Sequence, residues 1–475
     1  MKPRSWILVA VGTMGIAVFA WIGPPVWESK VTLARHRPDL PALATWPTEA
    51  QERIVAADRT ARSLWQSRRG MVELARLYQA NGFYEEALAC FEGLREVEPR
   101  NARWCHLPAV ILAGLGRLEE AEPLFRRAAA LVPGYLPAHM RTADVLLKTN
   151  RLSEAQRTYE DVLARFGEQP YALLGLARVA IARDEWGRAE ALLQRATAAD
   201  AKFVAGLSLL ATVLTHLGRE QESDRIFARV SHREFVDMRD PWVDDLLDDC
   251  YDPYYLSVAA SVAHFRGDLV FAKRCLERAA SLARNPAPYY RQLGQLGYVT
   301  RNYVEAGNHL AKAVALAPND AEAWTVWVNV LLAARNRPEA YRVLSEGLAH
   351  CPDSGALHYL HGYMLSEDGQ MERAIGELRV AKRLRSTQAD VYVELARAYF
   401  KIGEIEAGMA EMKEALLVQP DQPNALVVLA RYAIDQDDAA AAREWIRRVR
   451  LQSRVDRKDL ELVLREFQER FDQSP

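Results

Sequence analysis

Between residues 240 and 255 the chain reads DPWVDDLLDDCYDPYY, which sets six aspartates among two prolines, a cysteine and aromatic rings. Carboxylates at this density can chelate a hard cation, serve as an active site, or dock a basic surface. A calcium cage needs loop geometry with a sharp glycine turn, and this stretch contains no glycine. Asp240-Pro241 and Asp252-Pro253 have the form of a helix N-cap followed by proline at the first helical position. On a helix, Trp242, Leu246, Leu247 and Cys250 fall near one face. Asp244 with Asp248, and Asp245 with Asp249, form i,i+4 pairs on the other. The expectation is an inserted amphipathic helix over 238–252 whose acidic face, Asp244, Asp245, Asp248 and Asp249, is displayed outward. An acidic docking patch for a basic partner is the alternative use of the same face.

Elsewhere the residue types that carry chemistry are scattered. There is no phosphate-binding glycine loop, no dinucleotide fingerprint, no H-E-x-x-H and no G-x-S-x-G. The five cysteines, at 90, 105, 250, 275 and 351, form no C-x-x-C, so neither a zinc ribbon nor a haem attachment site is present, and they read as helix-packing thiols. His106, His139, His216, His264, His350, His358 and His361 are dispersed. His358 and His361 share a helix face at i,i+3, but the sequence gives them no cysteine or carboxylate in the same unit to complete a metal site. No catalytic, cofactor-binding or metal-binding residues are expected, and the chain is expected not to be an enzyme. The 475 residues are 26% charged with a net charge of −2, without the basic excess of a nucleic-acid footprint. At 50% hydrophobic content, the chain has ample apolar surface to bury.

Residues 6–23, WILVAVGTMGIAVFAWIG, follow Lys2 and Arg4 and carry no charge. As a helix they would reach roughly 27 Å, enough to cross the hydrocarbon of a bilayer. Trp6, Trp21 and Trp27 lie near the ends, where indoles favour the membrane interface. Residues 1–27 are therefore expected to be a single-pass signal anchor, with a cleaved signal peptide as the alternative. The short basic tail favours an inward N-terminus, although Lys30, Arg35 and Arg37 beyond the segment blur the rule.

The elements that position these residues repeat. MVELARLYQANGFYEEALACFEGLREVEP (71–99) aligns without gaps on CHLPAVILAGLGRLEEAEPLFRRAAALVP (105–133), a step of 34 residues. One small-residue phase runs through Ala87, Ala121, Ala155, Ala189 and Ser223, then resumes at Ala272, Ala306, Ala340, Ala374, Gly408 and Ala442. A second runs from Ala75 to Ala430 and is broken only by Val328. Each unit reads as two amphipathic helices joined by a turn, often at a glycine, with small residues where the helices cross. This helix–turn–helix pattern resembles the tetratricopeptide repeat family over about 68–456, with AEAWTVWVNVLLAARNRPEAYRVLSEGLAHCP (321–352) a clear instance. The resemblance implies an all-α, right-handed superhelical solenoid of about eleven repeats. The layout is anchor 1–27; linker and lead-in helix 28–67; units one to five, 68–237; insert 238–252; units six to eleven, 253–456; and a capping helix and tail, 457–475.

The resemblance also implies a binding face on the first helix of each unit. Carried onto this chain, the phases select Thr212, Thr215 and His216, then Ser257, Ser261, His264 and Phe265. They continue with Arg291, Gln295 and Tyr298, Thr325 and Asn329, and Tyr359 and Tyr363. This neutral lining of hydroxyls, amides and rings suits an extended peptide. The carboxylate clamp of some family members would fall on Val72, Arg76, Leu107, Pro137 and Arg141, where most of it is missing. The expectation is a protein–protein interaction scaffold, anchored in a bacterial inner membrane with its body in the periplasm. It would serve envelope assembly, secretion or maturation, without nucleic acid, small-molecule substrate or cofactor. A cytoplasm-facing regulatory adaptor is the alternative.

Overall fold

A computed structural model describes residues 27–230, 238–384, 388–450 and 457–471. All regular structure among the described residues is helical. The expected membrane span at 6–23 lies outside them, and no helix among them is long and apolar enough to cross a membrane.

After a helix over 27–36 and the lead-in helix Thr48–Arg62, the chain folds into antiparallel helix pairs, beginning with Ser67–Ala80 and Tyr84–Val97. Second helices begin at Tyr84, Leu118, Leu152, Trp186 and Glu220. They resume at Leu269, Tyr303, Arg337, Met371, Ile405 and Ala439, each series in steps of 34 residues. The step is enforced at the crossings. Ala75, Ala109, Ala143, Ala87, Ala121 and Ala155 are all fully buried. At Gly294 a β-carbon would come 2.4 Å from Leu310 Cγ, and at Gly362 2.6 Å from Leu378 Cγ. Side chains of any size there would drive the helices apart.

The turn inside each pair is equally regular. One residue takes a left-handed backbone at the same phase throughout: Gly82, Gly116, Asn150, Asp184 and Gly218, then Gly267, Arg301, Arg335, Gly369, Gly403 and Asp437. The next amide reaches back five residues, as Phe83 N–H does to Tyr78 O (2.9 Å) and Arg117 N–H to Leu112 O (2.8 Å). This Schellman geometry satisfies carbonyls that a helix end otherwise orphans.

The described residues divide into two compact units. The first runs to Ile226 and includes the segment ending at Arg266; the second runs from Gly267 onward. In the second, the helix Arg457–Phe471 lies on the last pair, burying Val463 against Ala430, Ile434 and Ala442. Ion pairs Arg431–Glu466 (2.9 Å) and Arg470–Asp437 (2.6 Å) hold it there.

The acidic segment departs from the single outward-facing helix expected of it. Pro241–Asp244 makes one α-turn and Asp245–Asp249 a 3-10 turn, after which Cys250 is extended. Asp252 caps the helix Pro253–Phe265, accepting from Tyr254 N–H at 2.8 Å. Asp240 does not cap with its side chain, because its carboxylate is engaged elsewhere.

Candidate functional site

Asp240 and Asp249 are almost fully buried, at 3% and 4% exposure. Burying a carboxylate is expensive unless charge and hydrogen bonds compensate, so each must have partners. Those partners come from the lead-in helix and the first two repeats, more than a hundred residues earlier in the chain.

Asp249 accepts from Arg53 Nη2 at 2.5 Å and from Arg76 Nε at 2.7 Å. Arg76 also donates to the backbone carbonyl of Asp245 (2.9 Å), while Arg103 lies 3.5 Å from the Asp245 carboxylate. The Asn81 side chain grips the backbone itself. Its amide nitrogen donates to Asp249 O at 2.8 Å, and its oxygen accepts from Tyr251 N–H at 2.7 Å. This two-bond contact reads an extended peptide without regard to side chains. Farther along, Asp240 accepts from Tyr135 Oη at 2.6 Å and pairs with His106 Nε2 at 2.8 Å. Between these charged contacts, Trp242 stacks on Tyr135 with centroids 3.6 Å apart and planes 13° apart. The Arg103 guanidinium lies over the Trp242 ring, 5.5 Å from its centroid. Tyr251 is 1% exposed, and its hydroxyl donates to Glu49 Oε1 at 3.2 Å.

The outward acidic face is therefore corrected residue by residue. Asp249 points inward between two arginines, and Asp245 faces Arg103. Asp244 is half-buried between Arg239 (3.2 Å) and Arg266 (3.8 Å), and burial raises the pKa of its carboxyl despite them. Of the four, Asp248 and Asp245 are exposed. An open apolar pocket of about 370 Å³ beside the segment is lined by Tyr84, Ile111, Leu115, Val243, Leu247 and Tyr255.

The face selected from the family phases is divided between the two units. In the first, Thr212 and Ser261 bond back to carbonyls of their own helices, at Ser208 and Ser257 (3.1 Å each). His216 stacks on Trp186 at 3.6 Å, and the His264 ring is 5.5 Å from Phe265. In the second, Arg291 pairs with Glu322 and lies 3.6 Å from Asp320, and Gln295 donates to the same Glu322 at 3.1 Å. Tyr298 is 43% exposed, and Asn329 is half-buried. Tyr359 and Tyr363 stack at 6.5 Å, with Tyr359 half-buried on the core and its hydroxyl pKa raised by burial. Thus Arg291 and Gln295 are tied up, whereas Tyr298 is exposed, its ring 6.4 Å from that of Tyr303.

Sequence reasoning missed the arginine set; Arg76 enters that reasoning only as one of the positions where most of the carboxylate clamp is missing. It also missed that the Glu377 carboxylate, in the same unit, faces both His358 Nδ1 (2.7 Å) and His361 Nδ1 (3.2 Å). Among the described residues, His36 with Glu92 and Glu96 is a group able to approach a metal. Each ring nitrogen of His36 is already directed at one carboxylate, at 3.7 and 3.0 Å, which is an ion-pair arrangement. All five cysteines are buried and free of disulfides.

Antiparallel helix pairs at a fixed step, with small residues at the crossings, define a helical-hairpin repeat array. Family models described as tetratricopeptide repeat match residues 72–135 and 393–454, and 112–172 and 153–213. Over these residues the chain carries tetratricopeptide repeats. It is 24% identical over 120 residues to DnaJ homolog subfamily C member 3 of Gallus gallus, covering 25% of this chain and 24% of that protein. It is 25% identical over 312 residues to cellulose synthase operon protein C of Xanthomonas axonopodis pv. citri, covering 64% of this chain and 18% of that protein. The chain thus spans a quarter or less of these relatives. Among solved structures it is similar to yeast Tom70, with a TM-score of 0.41, 13% identity, and coverage of 86% of this chain and 96% of that one. The Cut9 assembly with Hcn1 gives a TM-score of 0.39 at 13% identity, covering 92% of this chain and 99% of that one.

Proposed function

We propose that the protein is a non-enzymatic scaffold that holds extended segments of partner proteins along the first-helix faces of its repeats. One observation carries the reading: the chain's own short-turn segment, residues 240–251, is held by Asn81 on its backbone and by Arg53 and Arg76 on a carboxylate. A surface that satisfies a peptide's amides, carbonyls and charges together is a peptide-binding surface in chemical terms. The uncharged run at 6–23 supports membrane attachment, and Lys2 and Arg4 support a body on the periplasmic side of a bacterial inner membrane. The process served is one of envelope assembly, secretion, polysaccharide export or maturation. The bacterial relative named for the cellulose synthase operon makes polysaccharide production the first place to look for a partner.

Two experiments test this. Photo-crosslinking residues at Tyr298, Asn329 and Tyr363, introduced one at a time, should capture the same partner proteins in cells. Failure of all three to capture any partner removes these positions from the binding face. An alkaline phosphatase fused after residue 475 should be active outside the cytoplasm. Activity only from a cytoplasmic reporter at that position selects the cytoplasm-facing adaptor instead.

A further inference from the structure

We propose that the groove formed by Arg53, Arg76, Asn81, Arg103, His106 and Tyr135 is a binding site for a partner segment with two carboxylates flanking an aromatic ring, and that residues 240–251 are its resident, displaceable occupant. The proposal rests on the scaffold reading and gives it a ligand.

Three features separate this segment from ordinary core. Its contacts are those of a bound peptide: carboxylates on arginines, one stacked indole, and backbone bonds to a side-chain amide. Its regular structure is only one α-turn and one 3-10 turn, each too short to hold itself, so its position depends on the groove. Its fit is also incomplete, because Val243 and Leu247 line an open apolar pocket of about 370 Å³. An occupant with a larger apolar side chain at either position would fill space that this one leaves empty.

The groove also fits this chemistry when considered alone. With the segment lifted away, Arg53 (also paired with Glu73 at 3.4 Å), Arg76 and Arg103 form a row of guanidiniums with Glu49 at its edge, and His106 and Tyr135 present donors beside a ring able to stack an indole. Repeated carboxylates match that row, whereas a basic partner would be repelled. The resident segment is tethered, so its effective concentration is on the order of millimolar. A free peptide therefore competes only if it binds better or if the resident contacts are weakened.

The test uses the full chain and a labelled synthetic peptide with the sequence of residues 238–252, beside a scrambled peptide of the same composition. A release variant, Asp240→Ala with Trp242→Ala and Asp249→Ala, should bind the authentic peptide roughly 10- to 100-fold more tightly than the wild type does. Adding Arg76→Glu to the release variant should abolish that gain. Equal binding by wild type and release variant, or no preference over the scrambled peptide by a release variant with intact helical circular dichroism, overturns the proposal. Hydrogen exchange on the unaltered chain gives an independent measurement should the triple variant fail to fold. Amides of 242–251 should exchange through local opening, and exchange limited by global unfolding would make the segment permanent core. If the peptide fails to bind while crosslinking at Tyr298 or Tyr363 still captures partners, the scaffold reading stands and this site falls.

Discussion

Asp240 shows how a single carboxylate couples the inserted segment to the repeats. Burial alone would raise its pKa, but hydrogen bonding to His106 and the hydroxyl of Tyr135 outweighs burial and holds it below the usual carboxylate range. A carboxyl whose pKa falls on folding adds stability above its unfolded pKa of about 4, and that stability is lost as pH drops through the lower folded value. Wild type should therefore be more stable than Asp240→Asn near pH 7, with the gap closing below about pH 4. Urea melts across that range check this, and a gap that does not narrow as pH falls below about 4 refutes the ionised carboxylate. The neighbouring aspartates supply a second comparison. Asp249→Ala leaves two arginines facing each other without their acceptor and should cost about 1–3 kcal/mol, at the lower end because both guanidiniums are partly exposed. Asp248→Ala, at an exposed side chain, should stay within about 0.5 kcal/mol. At this scale the sequence was least informative. The i,i+4 spacing of the aspartates assumed a helix, and only the distant arginines decide which carboxylates turn inward. Nothing local links Arg53 to Asp249 across the intervening repeats.

The helix pair is the element that the sequence specifies most completely. Its period, its small-residue crossings and many of its turn glycines are all local signals, and they survive into the structure at Ala75, Ala87 and Gly82. What the pattern concealed is that the left-handed turn persists where glycine does not. Arg301 and Arg335 hold φ of 58° and 57° at the turn phase, a conformation that costs a β-branched or long side chain about 1 kcal/mol. Both side chains are exposed, so replacement by glycine should relieve strain without loss of packing. Arg335→Gly and Arg301→Gly should each stabilise the second unit by up to about 1 kcal/mol, while Gly369→Ala should destabilise it by a similar amount. Chemical denaturation of the three variants decides the matter, and a destabilising Arg335→Gly would show that the turn is not strained. The crossings make the opposite prediction. At Gly362 an added methyl meets Leu378, a fully buried core side chain, so Gly362→Ala should cost roughly 1–3 kcal/mol.

A linear repeat array couples each unit chiefly to its neighbours, so damage stays local and unfolding spreads from the weakest interface. The inserted segment changes that rule within the first unit. By joining Arg53, Asn81, His106 and Tyr135 to residues 240–251, it adds contacts that skip several repeats and should make this unit unfold more cooperatively than repeats alone. The second unit, from Gly267 onward, depends instead on successive helix pairs and its terminal helix. Trp242→Ala removes the stacked ring at the centre of the segment and should lower the melting of the first unit, broadening it as well. The second unit should keep its own transition. Calorimetry with hydrogen exchange resolved by peptide can follow the two separately, using protection in Leu136–Lys148 and in Ala321–Ala333 as reporters. Equal loss of protection in both would mean that the array unfolds as one cooperative body, and the segment would then stabilise the whole molecule. Loss confined to the first unit would make residues 240–251 a local clamp, whose release alters the binding face of the early repeats and leaves the later ones intact.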